Sequence, residues 1–348
     1  MIKTISHLSV GVAIGYQANQ MIACDLFLDL EMYSIPQSYL NEVKEKFPLF
    51  EFCEINTPNA KKIDKDKIEI YWGNRISLKV LHDLPNLEWI HLGSVGVSHE
   101  VFLEAKRRSI KITNSADIMT NAVAASGLAF MFGLARGFHS SMQLKQKKEL
   151  NRKSFDMHFN NIQDVFNQSV LIAGHGDIGK KIYQHCLNLD MNVSIIRKKK
   201  NIDIKGVEHI YSLDEIEKAV KDADYVINIL PLNDKTEKIF SKNVFIKMKK
   251  TAFFINIGRG DTVIESDLVD ALKNNEIAGA GLDVFSSASY VDPYHPLKND
   301  SPLLNLNNVI LTPHVAGMTQ QYWKNQSKLF QENLNNFINN QPLKNRID

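Results

Sequence analysis

The chain has 348 residues, 44% of them hydrophobic, which is enough to bury two cores and long for one. Its 41 Lys and Arg against 39 Asp and Glu leave a net charge of +2, far from the basic excess of a dedicated nucleic-acid binder. Three scattered cysteines, Cys24, Cys53 and Cys186, lack metal-ligand or redox spacing and read as small buried apolar residues in a reducing compartment.

Residues 5–16 are mildly apolar, but His7 interrupts them, and Gln17, Asn19 and Gln20 follow where a signal peptide needs small residues. An ordinary first strand is expected there, in a cytoplasmic protein with no run of membrane-spanning length. A helix at 38–47 precedes strands at 67–73, 87–93 and 110–113. Residues 120–137, rich in Ala, Leu, Met and Phe, read as a long buried helix with Thr120 or Asn121 as N-cap. The Lys-rich stretch 143–155 reads as a solvated helix end and loop rather than a binding patch.

A second series of strands follows at 170–174, 192–196, 225–230, 252–257, 279–284 and 308–312, and an amphipathic helix at 318–338 closes the chain. Short apolar runs alternating with amphipathic ones are the mark of βαβ units. The expectation is an α/β protein of two Rossmann-like domains with doubly wound parallel sheets. A dinucleotide-binding domain, 118–317, is inserted into a smaller substrate domain made of 1–117 and 318–348.

The strongest local signal is Gly174-His175-Gly176-Asp177-Ile178-Gly179, directly after the apolar run Val170–Ala173. The first glycine serves a tight turn, the second lets backbone approach a pyrophosphate, and the third lets helix and strand pack closely. A helix is expected behind the motif, from Lys180 to Leu189, with its free N–H groups facing the phosphates, and Asp177 and Ile178 between the glycines are counted with the cofactor site. An NAD site usually carries Asp or Glu at the end of the second strand, about 20 residues on, to hold the ribose 2′-hydroxyl. Here Arg197 and Lys198 stand instead, followed by Lys199 and Lys200. A carboxylate repels a 2′-phosphate and these cations attract one, so NADP(H) is the expected cofactor, with NAD(H) as the alternative.

Three later strands each end on a polar residue: Arg259 in Gly258-Arg259-Gly260, Asp283 in Gly281-Leu282-Asp283-Val284-Phe285, and His314 in Thr312-Pro313-His314. In open α/β sheets that carboxyl edge is where ligands bind. Together with Leu87-Glu88-Trp89-Ile90, Gly93-Ser94-Val95-Gly96-Val97 and Leu230-Pro231-Leu232, this ordered set resembles the D-2-hydroxyacid dehydrogenase family, from about residue 70 onward.

The resemblance implies roles. Arg259 would grip the substrate carboxylate and polarise its keto oxygen, and His314 would be the acid/base on that oxygen. The Val95–Gly96 backbone would bind the carboxylate. Asp283 would hydrogen-bond the nicotinamide carboxamide, and Pro231 and Thr236 would lie along the cofactor. A homodimer is implied too. No metal, nucleic acid or membrane is called for.

The family pattern also places a Glu beside the histidine, where this chain has Ala288 and then Ser289. A carboxylate beside an imidazole stabilises its protonated form. Asp292, followed by Pro293, could take over that task, the histidine could work unpaired, or family chemistry could be lost. Ala125 and Ser126 replace a common Glu-His pair in the long helix. Two function classes follow. One is a reductase of a small 2-keto acid to a D-2-hydroxy acid. The other is a dinucleotide-binding sensor or corepressor-like protein with weak or silent catalysis.

Overall fold

The computed structural model describes residues 20–24, 34–55, 63–156, 162–198, 203–289 and 295–348. The expected strand at 5–16, and Lys199, Lys200, Asp292 and Pro293, lie outside the described residues. The chain divides into two compact units, Met1–Ile118 with Thr319–Asp348, and Met119–Met318. Each crossing falls one residue later than the bounds expected from sequence.

The first unit holds a parallel sheet of β1 (Gln20–Cys24), β2 (Phe50–Glu54), β3 (Ile68–Gly73), β4 (Trp89–Leu92) and β5 (Lys111–Thr113), in the order β2-β1-β3-β4-β5. That is a doubly wound order. The final helix, Tyr322–Ile338, belongs to this unit. Its Phe330 stacks on Trp72 at 4.1 Å and on Trp89 at 5.5 Å between ring centroids. The Trp72 indole N–H donates to Gln326 Oε1 at 2.9 Å. Burying two indoles and a phenyl ring this way ties the last helix to the first sheet, since aromatic burial dominates core energetics.

The second unit holds β6 (Ser169–Ala173), β7 (Asn192–Ile196), β8 (Val207–Tyr211), β9 (Tyr225–Asn228), β10 (Phe253–Asn256), β11 (Gly279–Leu282) and β12 (Val309–Leu311). Their order is β12-β11-β10-β9-β6-β7-β8, parallel throughout. Val170 and Ile172 enter one apolar cluster while Leu171 and Ala173 enter another. Period-2 alternation therefore buries both faces, which is why these strands read as continuous apolar runs. The order reverses between β6 and β9, the switch point where such sheets open a crevice at their carboxyl ends.

The long helix runs Ala116–Ala135, not 120–137, so Thr120 and Asn121 lie inside it and do not cap it. The capping acceptor is upstream: Asn114 Oδ1 takes the Ala116 N–H at 3.3 Å, and Asp117 adds negative charge to the first turn. By length and composition this helix could cross a membrane, contrary to the expectation that no run would. Val123, Ala124, Phe130, Met131 and Leu134 instead bury in the core of the second unit. The lysines of the stretch after it are exposed while Leu144 is buried, with helices at Phe138–Gln146 and Arg152–Asp156. All three cysteines are buried.

Candidate active site

The turn after β6 is built for close approach. Gly174 has φ +112°, and the helix Asp177–Asn188 begins three residues later. A Cβ on Gly179 would lie 2.2 Å from the Gly174 carbonyl oxygen, so only glycine lets this helix close on the turn. A Cβ on Gly176 would meet nothing within 4 Å. Open space therefore lies before a helix N-terminus whose first N–H groups are unspent, an arrangement that fits a pyrophosphate. Asp177 sits in the first helical turn, exposed and 3.2 Å from Lys180 Nζ, and Ile178 packs on the core beneath.

Beside the turn, β7 ends at Ile196. The Arg197 N–H donates to the Tyr211 carbonyl at 3.0 Å. Its side-chain Nε is buried with no hydrogen-bond partner among the described residues, and Lys198 is exposed. Across the switch point, the buried Thr236 hydroxyl accepts the Asn233 N–H at 2.9 Å and bonds the Pro231 carbonyl, fixing the loop on which Pro231 is exposed.

Three neighbouring strands, β10, β11 and β12, bring Arg259, Asp283 and His314 to the same carboxyl edge as the glycine turn. Arg259 is half-buried, and its Nη1 donates to the Gly258 carbonyl at 2.8 Å. A Cβ on Gly260 would fall 1.6 Å from the Phe285 carbonyl oxygen, so the Arg259 turn and the turn after Asp283 press directly together.

Three residues that belong to none of the sequence motifs hold this edge. Asn228 Nδ2 donates to Asn256 Oδ1 at 3.0 Å and to Thr262 Oγ1 at 2.7 Å. Thr262 Oγ1 and Asn256 Nδ2 in turn bond the Arg259 carbonyl, at 2.6 and 3.3 Å. Asn228 Oδ1 also accepts the Leu230 N–H at 3.1 Å. All three side chains are buried, and a fully satisfied buried network fixes one geometry. The signal was available, since two otherwise apolar strands, Tyr225–Asn228 and Phe253–Asn256, both end on Asn.

Asp283 is 2% exposed. Its carboxylate accepts from Thr312 Oγ1 at 2.6 Å, Val315 N–H at 2.9 Å and Ala316 N–H at 3.1 Å. It therefore clasps the turn that carries His314, whose φ of +59° places it in the left-handed region. Such a conformation costs of order 1–3 kcal/mol and persists only where surroundings impose it. Removing the clasp in Asp283→Ala leaves three donors without their acceptor and is expected to cost about 2–3 kcal/mol. Denaturant unfolding of native and variant protein would measure it, and a loss below 0.5 kcal/mol would contradict the clasp.

Ala288, in the short turn Ser287–Ser289, is exposed and presents no carboxylate. Two acidic residues next to the Arg259 turn hold this segment. Asp261 Oδ1 accepts from the Ser287 N–H at 2.9 Å, and Glu265 accepts from Ser286 N–H at 3.0 Å and Ser289 Oγ at 2.6 Å.

In the first unit, Val95 and Gly96 lie on the loop after β4. Asn114 Nδ2 donates to the Val95 carbonyl, and Ser94 Oγ to the Gly96 carbonyl, both at 2.8 Å. Tyr322 Oη bonds the Gly93 carbonyl at 2.7 Å. The loop is thus pinned by its carbonyls, and no described residue accepts from the Val95 or Gly96 N–H.

Residues 128–316, more than half of the chain, match the family model for the NAD binding domain of D-isomer specific 2-hydroxyacid dehydrogenases. A glyoxylate reductase of Pyrococcus furiosus is 30% identical over 311 residues, covering 86% of this chain and 89% of that one. Glyoxylate/hydroxypyruvate reductase B of an Enterobacter species is 31% identical over 277 residues, covering 79% of this chain and 82% of that one. Among solved structures, a family member from Aeromonas salmonicida has a TM-score of 0.77 at 24% identity, covering 94% of this chain and 99% of that one. The chain belongs to the D-isomer specific 2-hydroxyacid dehydrogenase family, oxidoreductases that use a nicotinamide dinucleotide.

Proposed function

We propose that the protein is an NADPH-dependent reductase that converts a small 2-keto acid, of the glyoxylate or hydroxypyruvate kind, to the hydroxy acid. The observation that carries this reading is the convergence of Arg259 and His314 on the sheet edge that bears the glycine turn. Gly174, Gly176, Asp177, Ile178 and Gly179 would hold the pyrophosphate, Arg197 and Lys198 the 2′-phosphate, and Pro231, Thr236 and Asp283 the nicotinamide end.

Held by these residues, a reduced nicotinamide would supply the hydride that the keto carbon takes up. Negative charge then grows on the keto oxygen. The Arg259 guanidinium pairs with the substrate carboxylate through parallel N–H bonds and lowers the energy of that growing charge. The His314 imidazole gives its proton to the same oxygen, completing the hydroxyl, and takes it back in the oxidative direction. The Val95 and Gly96 N–H groups would add donors for the carboxylate.

Support for NADP(H) over NAD(H) comes from the absence of a carboxylate at the end of β7, where Arg197 and Lys198 stand. Arg197→Ala is expected to raise the NADPH KM about tenfold or more and leave the NADH KM within about twofold. A charged hydrogen bond is worth roughly 1.5–3 kcal/mol, which sets that scale. A panel of 2-keto acids assayed with both cofactors tests the whole reading; a clear NADH preference removes the NADP(H) assignment, and no turnover on any acid removes the reductase.

The sensor alternative is not favoured, because the relatives above are named as reductases. A cytoplasmic homodimer with no nucleic-acid or membrane partner belongs to the same proposal, from family resemblance and balanced charge, and sedimentation would test the assembly state.

A further inference from the structure

The glycine turn carries an imidazole that the mechanism above does not use. His175 stands between Gly174 and Gly176, its ring edge-on to Tyr183 with centroids 5.9 Å apart. Its Nε2 is buried and has no hydrogen-bond partner among the described residues, and the same is true of Arg197 Nε at the end of β7. Natural proteins rarely leave buried nitrogens unsatisfied, since each costs roughly 1–3 kcal/mol, and such atoms at a ligand cradle mark a missing partner.

Among the described residues, the groups acting on the ring are cationic or neutral. Arg197 approaches from β7, and Lys180 and Tyr183 come from the helix Asp177–Asn188. Asp177 is occupied with Lys180 in an exposed pair, where charge is screened. Burial first, then Arg197 and Lys180, hold His175 below the ordinary imidazole range. The ring is therefore neutral in the free protein near pH 7. A dianionic oxygen reaching Arg197 would cancel the repulsion and favour a charged ring.

We propose that His175 is a further arm of the 2′-phosphate site, taking up a proton as the phosphate seats against Arg197. This rests on the NADP(H) reading given above. The proton comes from solvent, forms an N–H bond on the free ring nitrogen, and returns to solvent on release.

The sign of the pH dependence separates His175 from the phosphate itself. A ring whose pKa rises on binding strengthens affinity as pH falls towards the free-protein value. The 2′-phosphate, with a second pKa near about 6, loses charge as pH falls and so weakens binding. Native protein should therefore bind NADPH more tightly, by about twofold or more, at the acid end of a range from roughly pH 8.5 to 6.5, against the opposite trend of the phosphate.

Isothermal titration of the full chain with NADPH and NADH, in two buffers of different ionisation enthalpy, reads both effects. Native protein should take up a fraction of a proton with NADPH and none with NADH. In His175→Asn the uptake should vanish and the NADPH-over-NADH preference should fall about threefold or more, any general loss cancelling in the ratio. His175→Gln serves as a second variant should the first fold poorly. Uptake that persists in the variants overturns the proposal, as does an equal loss of NADH and NADPH, which would place the ring on the pyrophosphate. Should native protein bind NADPH no better than NADH at any pH, the NADP(H) reading falls and this inference with it.

Discussion

His314→Ala should lower kcat for keto-acid reduction by about 10²–10⁴-fold, the range for loss of a positioned general acid. The size of the effect follows from how tightly the side chain is presented. Its backbone sits at φ +59° and its N–H bonds the Thr312 carbonyl at 2.9 Å. The Asp283 carboxylate grips residues on both sides of it. Alanine removes the imidazole without touching those bonds, so the loss should appear in kcat with cofactor binding preserved. Steady-state kinetics alongside NADPH titration would check this, and a loss under tenfold would mean another group delivers the proton.

Arg259→Ala should cost about 10²–10³-fold in kcat, the scale for deleting one charge-stabilising donor, together with a higher KM for the keto acid. The carbonyl of Arg259 is held by Thr262 and Asn256, and these bonds do not depend on its side chain. The fold of the edge should survive, leaving a chemical defect. Arg259→Lys should recover little, because an ammonium cannot offer the parallel pair of N–H bonds that matches a carboxylate. Kinetics on all three proteins decides it. Near-native kcat in Arg259→Ala would remove the guanidinium from the reaction.

Much of this architecture is written in short-range pattern. β6, β7, β9 and β10 are buried on both faces, so their sequences are near-continuous apolar runs with sharp polar ends. The glycine turn is legible because its conformation excludes side chains. β8, Val207–Tyr211, is an edge strand with exposed Glu208 and His209, and it carries no such run. The start of the long helix is not legible in the apolar stretch, because Asn114 caps it from outside that stretch. The Asn228–Asn256–Thr262 network was hidden for another reason. Its members are far apart in sequence, and only strand pairing places them together. Asp283 was legible as a site residue, but its grip on the His314 turn depends on contacts with a segment some thirty positions away.

The membership of Phe330 in the first sheet's core has a consequence for biosynthesis. Trp72 and Trp89 leave the ribosome long before the ring that covers them, with the whole of the second unit translated in between. The inserted unit is complete as soon as its own strands emerge, whereas the earlier one must wait with two indoles uncovered. Order of assembly therefore runs against order of synthesis, and the nascent chain is most exposed to misassociation in the interval before its last helix appears.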